Sequence, residues 1–354
     1  MTVATFLFGR RGRRGFDWTD LFAYFYLALG VLLILAPVAW LLVSSFKTQR
    51  ALTESDPRPL PYEQVTVPSA DGARNLSVFE YQDPQGKSMD VAVLVASGAQ
   101  ATVFQLGHPE NAFEVSLRDL KPKEVVRLHT ENYTEPLDPA QSRTFNFPRY
   151  FLNSTVVTVT ATLLTLLINS MAAFALSKYR FRGRNFFMAV IIVTLLMPAT
   201  VILVPLFVVV RNFGMLDSLW GVIIPGAATP TGVFLLRQYM LTLPDELIEA
   251  ARMDGASEWK IYWRIILPLS LPALAVLAIL SIIWRWNDFL WPLIVLTRSE
   301  VFTLQIGLST FKGELNDSVH YLLAMTVLTL LPVTAVFALL QKYITSGIAN
   351  TGMK

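Results

Sequence analysis

Six long stretches without an Asp, Glu, Lys, Arg or His side chain constrain the fold of this chain more than any other feature. They cover residues 21–46, 150–177, 185–210, 218–236, 265–284 and 321–341. Crossing about 30 Å of hydrocarbon takes about 20 apolar residues in a helix, because a helix satisfies its own backbone hydrogen bonds there. Six buried helices of this length would be unusual in a soluble protein. The pattern therefore predicts an all-α polytopic membrane protein with six transmembrane helices.

The composition agrees with residence in a membrane. Only 16% of the residues are charged, whereas soluble domains carry about 25%. The net charge of +3 is small and the basic residues are scattered, which argues against nucleic acid as a partner. The sequence contains no cysteine, which excludes disulfides, thiolate metal sites and cysteine nucleophiles. We therefore expect membrane lipid, and no nucleic acid, around this chain.

The basic residues beside the apolar stretches predict the orientation. Lys and Arg are retained in short cytoplasmic segments, and they cluster before the first stretch and between the second and third: Arg10, Arg11, Arg13, Arg14, Lys178, Arg180, Arg182 and Arg184. We therefore expect a cytoplasmic N-terminus at residues 1–20, transmembrane helix 1 at 21–46 and a cytoplasmic tail at 342–354. A cleaved signal peptide is the alternative for 21–46, but a signal core has only about 7–15 apolar residues.

The segment between the first two spans, residues 47–149, is the long polar part of the chain. The orientation places it outside the cytoplasm, before a five-helix core at 150–354. Short β-type runs are separated by turn signals and lie at 62–67, 76–81, 89–95, 102–106, 113–117 and 124–130. The sequence predicts a small β-rich extracytoplasmic insert, folded as a sandwich or a barrel.

The connection between the fourth and fifth spans, residues 237–264, is named here the EAA loop. Pro244 and Asp245 suit the first turn of a helix. Gly255 can adopt the left-handed conformation that ends a helix, and Ser257 can cap a second one. The loop is therefore predicted to be a bent pair of helices below the bilayer.

The side chains of the EAA loop favour contact with a protein partner. Five acidic residues against two basic ones between residues 242 and 263 make it more acidic than the other cytoplasmic segments. Small and apolar residues give the first helix a surface that a partner could cover: Leu247, Ile248, Ala250, Ala251 and Met253. Docking on a protein explains this combination better than docking on anionic lipid.

The motif in this loop is similar to that of a known family. Glu249-Ala250-Ala251, three residues, Gly255, nine residues, Ile265, one residue and Leu267-Pro268 resemble the complete EAA pattern of binding-protein-dependent ABC importer permeases. The segments 150–155, 173–184 and 286–293 resemble the carbohydrate branch typified by the maltose permease MalG. The resemblance covers 21–46 and 147 to the end, and the segment 47–149 is longer than this family commonly has.

The resemblance implies a function and a set of partners. The chain would be a non-catalytic permease subunit of the prokaryotic inner membrane, forming half of a pathway for a sugar or oligosaccharide. It would pair with a second, MalF-like permease subunit, two cytosolic ABC ATPase subunits and an extracytoplasmic solute-binding protein. The ATPase subunits would use ATP and Mg²⁺, and this chain would bind no cofactor or metal.

The resemblance also implies the coupling residues. In the family, the EAA loop fits a cleft of the ATPase, and the matching positions here are Glu249, Ala250, Ala251, Asp254, Gly255, Ile265, Leu267 and Pro268. Pro268 can equally serve only to start or kink the fifth span. The family's tail often enters the ATPase dimer; here it keeps Gly347, Gly352 and Lys354 but not the final glycine.

Two other functions remain open from the sequence. A secondary transporter or channel would need inverted repeats or membrane carboxylates, and a membrane-anchored β-domain would leave the EAA pattern unexplained. The same importer class could also carry a substrate other than sugar. No substrate contact is assigned, although polar and aromatic side chains that could meet a sugar lie in or near the spans: Asn153, Thr155, Asn169, Ser170, Thr194, Thr229, Trp284, Trp286 and Asn287.

Overall fold

The structure is a computed structural model of the chain, and it divides into two compact units, Met1–Thr130 and Glu131–Lys354. It describes residues 18–53, 58–69, 74–83, 86–108, 110–138, 145–311 and 318–351, with the backbone alone for 342–351. The basic residues of the N-terminus and the side chains of the predicted tail therefore lie outside the described residues.

The first unit contains one long apolar helix and a group of short antiparallel strands. Helix α1 spans Trp18–Ser44 and α2 spans Gln49–Thr53. The strands are β1 Tyr62–Gln64, β2 Thr66–Pro68, β3 Asn75–Gln82, β4 Ser88–Ser97, β5 Gln100–Gln105, β6 Ala112–Ser116, β7 Leu120–Pro122 and β8 Glu124–Val126. Each predicted β-run overlaps at least one of these strands. The strand β7 lies in none of the predicted runs.

The strands form an open antiparallel sheet. Strands β2 to β6 lie side by side in chain order, β7 pairs with β3, and β1 pairs with β8 in a separate two-stranded sheet. Val91 on β4 packs with Val103 on one face, whereas the next residue, Ala92, packs with Phe104 on the other. Both faces of the sheet therefore carry apolar clusters, as side chains alternate along a strand. The described strands do not close into the barrel that the sequence allowed.

The second unit is helical. Its helices are α3 Glu131–Leu137, α4 Phe147–Lys178, α5 Arg184–Leu195, α6 Ala199–Asn212, α7 Leu219–Ile223, α8 Pro230–Met240, α9 Glu246–Met253, α10 Glu258–Ile261, α11 Leu271–Trp286, α12 Leu290–Val295, α13 Leu304–Ser309 and α14 Val319–Thr351. Between α10 and α11 the chain continues through a π-helical turn, Tyr262–Ile266, and a last helical turn, Leu267–Leu269. The side chain of Asn146 accepts a hydrogen bond from the amide of Arg149 and begins α4, a helix of 32 residues.

Three described helices are long and apolar enough to cross a bilayer by themselves: Asp20–Ser44, Phe147–Lys178 and Val319–Gln341. Two further pairs reach the required length together, although they bend by 108° between α5 and α6 and by 76° before α11. These helices and pairs correspond to the first, second, third, fifth and sixth predicted spans. The structure therefore has three to five candidate spans, and the expectation of six transmembrane helices is not confirmed.

The predicted fourth span, 218–236, is the one that the structure divides. Helix α7 ends at Ile223 and α8 begins at Pro230, and residues 224–229 between them are not helical. We name these residues the helix break. Pro225 has no N–H for a helical hydrogen bond, and a proline suits the first position of α8. The two prolines therefore interrupt the continuous helix that the apolar run predicted.

Candidate functional site

The EAA loop has the predicted bent shape. Helix α9 ends at Met253, and Gly255 then adopts φ +75°, a left-handed conformation that costs little without a Cβ. The hydroxyl of Ser257 accepts a hydrogen bond from the amide of Lys260 and begins α10. These two caps are confirmed. Pro244 lies before the capping residue Asp245 rather than within the first turn, so the helix starts later than the sequence predicted.

Exposure divides the predicted coupling residues into two groups. Glu249, Ala250, Asp254 and Gly255 are exposed on the loop, as is Pro268. Ile265 and Leu267 are half-buried against the core of the second unit.

Ala251, one of the predicted docking residues, is buried rather than exposed. Ala251, at 9% exposure, belongs with Ile248 to the apolar cluster that includes Ala173 and Phe174 of α4. Two residues that were expected on a partner-facing surface, Ile248 and Ala251, therefore pack inside this chain instead. The exposed surface is the opposite side of α9, where the side chain of Met253 is 89% exposed.

Hydrogen bonds hold the EAA loop to the C-terminal end of α4. The Lys178 ammonium donates to Asp245 Oδ1 and to the Leu243 carbonyl, each at 2.6 Å. The Tyr179 hydroxyl donates to the Glu258 carboxylate. The hydrogen bond from Lys178 holds the pKa of Asp245 below its usual value, so this carboxylate is charged at neutral pH.

Arg252 strengthens the contact at Tyr179. Its Nε and Nη2 donate to the two carboxylate oxygens of Glu258 at 2.8 and 3.3 Å, and its guanidinium lies 5.9 Å from the centre of the Tyr179 ring. Burial and the neighbouring Glu258 carboxylate raise the pKa of Tyr179 to about 12. The phenol is therefore protonated at neutral pH and can remain the donor.

The helix break lines a cavity of about 480 Å³. Apolar side chains of α4, α6 and α7 form most of its wall, including Val157, Leu203 and Val222. Five polar or aromatic side chains line the rest of it: Thr229, Trp284, Arg285, Asp288 and Trp291. An apolar cavity with a few convergent polar groups is typical of a small-molecule site.

Side chains from two neighbouring helices bond to two backbone groups of the helix break, the Gly226 carbonyl and the Thr229 amide. Arg285 on α11 donates through Nη2 to the Gly226 carbonyl and, at 2.8 Å, to the hydroxyl of Thr165 on α4. Asn169, also on α4, donates to the Thr229 hydroxyl at 2.7 Å and accepts from the Thr229 amide at 3.1 Å. Unpaired backbone groups cost several kcal/mol in hydrocarbon, so these side chains allow the chain to leave the helix here.

Arg285 and Asp288 are functional candidates that the sequence analysis missed. The search for charge-free stretches stopped at Trp284, one residue before Arg285. The available signal was a pair of opposite charges three residues apart. Trp284 precedes the pair, Trp291 follows it, and apolar residues lie beyond. Their placement in a cavity depends on Gly226 and Thr165, which are distant in sequence.

The other polar residues considered for a sugar make contacts within the chain. Asn153 donates to the Glu300 and Phe302 carbonyls, and Trp286 is buried and donates to the Thr329 carbonyl. Side chains that bond to the preceding helical turn are Thr155, Thr194 and Asn287. Ser170 pairs with Tyr262 at 2.7 Å. Only Thr229 and Trp284 of that set line the cavity.

Among the described residues, no group of three His, Cys, Asp or Glu side chains could hold a metal ion.

Known proteins resemble the helical unit in sequence. The family described as binding-protein-dependent transport system inner membrane component matches residues 150–350. The arabinooligosaccharides transport system permease protein AraQ of Halalkalibacterium halodurans is 40% identical over 205 residues, 58% of this chain and 74% of that protein. The sn-glycerol-3-phosphate transport system permease protein UgpE of Escherichia coli is 37% identical over 207 residues, 58% of this chain and 74% of that protein.

A solved structure shares the fold over nearly the whole chain. It belongs to a bacterial ABC transporter involved in the import of the acidic polysaccharide alginate, and it matches with a TM-score of 0.65 at 23% identity. The match covers 94% of this chain and 100% of that one. The fold is therefore that of a helical membrane permease, with a small β-sheet region towards the N-terminus. Since the family match spans more than half of the sequence, the chain belongs to the binding-protein-dependent transport system inner membrane components.

Proposed function

We propose that this chain is the transmembrane permease subunit of an ATP-driven importer for a sugar or oligosaccharide. Membership of the family supports the transport role. The carbohydrate assignment is supported by the relative at 40% identity, which is named for arabinooligosaccharides, and by the resemblance of 286–293 to the carbohydrate branch. The relative named for sn-glycerol-3-phosphate keeps a phosphorylated polyol as the second candidate substrate class.

The exposed side of the EAA loop carries the proposal, because it offers a surface to a partner. Glu249, Ala250, Asp254 and Gly255 would enter a cleft of a cytosolic ATPase subunit. Two small residues allow close approach of the backbones, and two carboxylates add charge-assisted hydrogen bonds. Two ATPase subunits would bind and hydrolyse ATP with Mg²⁺, and this chain would contribute no catalytic residue.

The rest of the assembly follows from the orientation of the basic segments. The termini would be cytoplasmic, and the segment 47–149 would lie outside, where a solute-binding protein delivers the substrate. A second permease subunit would complete the pathway. The cavity at the helix break is the part of this pathway that we assign to the present chain, with Trp284 and Thr229 available to a saccharide ring and its hydroxyls.

Reconstitution of the complete transporter in vesicles tests this function. We expect uptake of the sugar to require ATP and the binding protein. Glu249→Lys and Gly255→Asp should each abolish uptake, because one reverses a charge in the docking surface and the other places a side chain where φ is +75°. Glu300→Lys, the same charge reversal at an exposed acid outside the loop, is the matched control. ATP-independent uptake, or full activity of both loop variants, would refute the proposal.

A further inference from the structure

Helix α4 connects the two parts of the candidate site. Its cytoplasmic end carries Lys178, which bonds to the EAA loop, and Tyr179 follows immediately. Its middle carries Thr165 and Asn169, which bond to the helix break. Asn169 precedes Lys178 by nine residues, or about 14 Å at 1.5 Å per residue. One continuous helix therefore holds both the loop and the cavity wall.

The contacts of Lys178 and Tyr179 involve both helices of the loop. Lys178 holds Asp245, which precedes α9, and Tyr179 holds Glu258, which begins α10. The side chain of Lys178 is only 3% exposed although that of Asp245 is 73% exposed. A buried ammonium without its acceptors is costly, so the end of α4 cannot separate from the loop cheaply.

Apolar packing also joins α4 to both helices of the loop. Ala173 and Phe174 of α4 share one buried cluster with Ile248 of α9 and Ile261 of α10. Ser170 adds a hydrogen bond to Tyr262 at 2.7 Å. Interiors packed in this way transmit displacement because they leave little free volume. A push on the loop therefore displaces α4 as well.

We propose that Lys178 and Tyr179 are positioning residues that transmit movement of the EAA loop through α4 to the helix break. Thr165 and Asn169 deliver this movement to the break and thus change the wall of the cavity. The inference rests on the proposed function, because it needs an ATPase that moves the loop. It assigns a role to two residues that lie outside the EAA loop and its motif in sequence but contact the loop in the folded chain.

The test is a measurement of coupling in the reconstituted transporter with its ATPase and binding protein. Lys178→Met keeps the aliphatic stem and removes the donors to Asp245 and Leu243. We expect ATP hydrolysis to continue while the substrate transported per ATP falls about tenfold, which is within the usual size of coupling between sites. Lys178→Arg, which still has donors for both acceptors, should restore most of the ratio. Arg182→Met removes the same charge from an exposed neighbour and should change nothing.

A second variant keeps the test decisive if Lys178→Met does not assemble. Tyr179→Phe removes only the hydroxyl and retains the ring against Phe174, and Thr165→Val removes the hydroxyl at the other end of the connection. Both should lower the transport-to-hydrolysis ratio. A proportional loss of transport and hydrolysis in these variants, leaving the ratio unchanged, would show a purely structural role and overturn the inference. Absence of ATP-dependent uptake in the unmodified transporter would instead refute the proposed function.

Discussion

Replacing Gly232 with alanine should loosen the helix break without touching the EAA loop. A Cβ at this position would lie 2.1 Å from Asn169 Nδ2 and 2.6 Å from Thr229 Oγ1. Asn169 is fully buried, so its amide can escape only by giving up its two hydrogen bonds to Thr229. The alanine therefore removes the hydrogen bonds between Asn169 of α4 and Thr229 of the helix break at the edge of the cavity.

The structure sets the size of the effect. Overpacking of a buried site costs about 1–3 kcal/mol, and each lost side-chain hydrogen bond in a membrane protein costs about 0.6 kcal/mol. Alanine regains up to about 1 kcal/mol of helix propensity in α8. We therefore expect Gly232→Ala to lower the free energy of unfolding by about 1–3 kcal/mol.

Reversible unfolding of the purified chain in mixed micelles, followed by circular dichroism, measures this difference. Gly226→Ala is the control in the same region, because its Cβ would have no neighbour closer than 3.4 Å. In an Asn169→Ala background the clash with the amide is absent and only the Thr229 hydroxyl at 2.6 Å remains, so Gly232→Ala should then cost less than in the unmodified chain. An equal cost in both backgrounds, or no cost in the unmodified chain, would refute the reasoning.

Three further predictions follow from other contacts. Gly307→Ala would place a Cβ 2.3 Å from Cδ2 of the buried Tyr150 ring and should lower the melting temperature of the second unit; an unchanged temperature would contradict this packing. Ser257→Ala should lose a cap worth about 1 kcal/mol, and faster amide hydrogen exchange confined to 258–261 would show it. Tyr179→Phe should remove one of the tyrosines whose phenolate absorbance appears near pH 12; because burial and the Glu258 carboxylate raise the folded pKa of Tyr179 to about 12, this environment stabilises the protein below about pH 10 and the stabilisation is lost as the pH rises towards 12. A midpoint near 10 for that tyrosine would exclude the hydrogen bond to Glu258.

Features set by nearby residues were predictable from the sequence. The bend of the EAA loop depends on Gly255 and the start of α10 on Ser257, and each acts within four residues. The strands of the first unit follow from alternation of apolar side chains between turn signals. The long apolar helices α1, α4 and α14 follow from length and composition alone.

Features set by distant contacts were not predictable. The inward position of Ala251 depends on which side of α9 the core covers, and the sequence shows small residues on both sides. The division of the span 218–236 was indicated by Pro225 and Pro230, but its stability requires Asn169 and Arg285 from other helices. The same dependence hid the cavity, because Arg285 reaches Gly226 only in the folded chain.

The π-helical turn at Tyr262–Ile266 has a consequence for how this chain tolerates changes in length. A π-helical turn holds one residue more than the α-helical turn that would replace it. Deleting one residue there would therefore leave the number of helical turns between the loop and Leu269 unchanged, whereas a deletion in the α-helical segment Glu258–Ile261 would rotate the loop by about 100°. Glu249 and Asp254 would keep their direction in the first case and lose it in the second. The π-helical turn is thus the place in this segment where the chain can lose a residue without turning the proposed docking surface away from its partner.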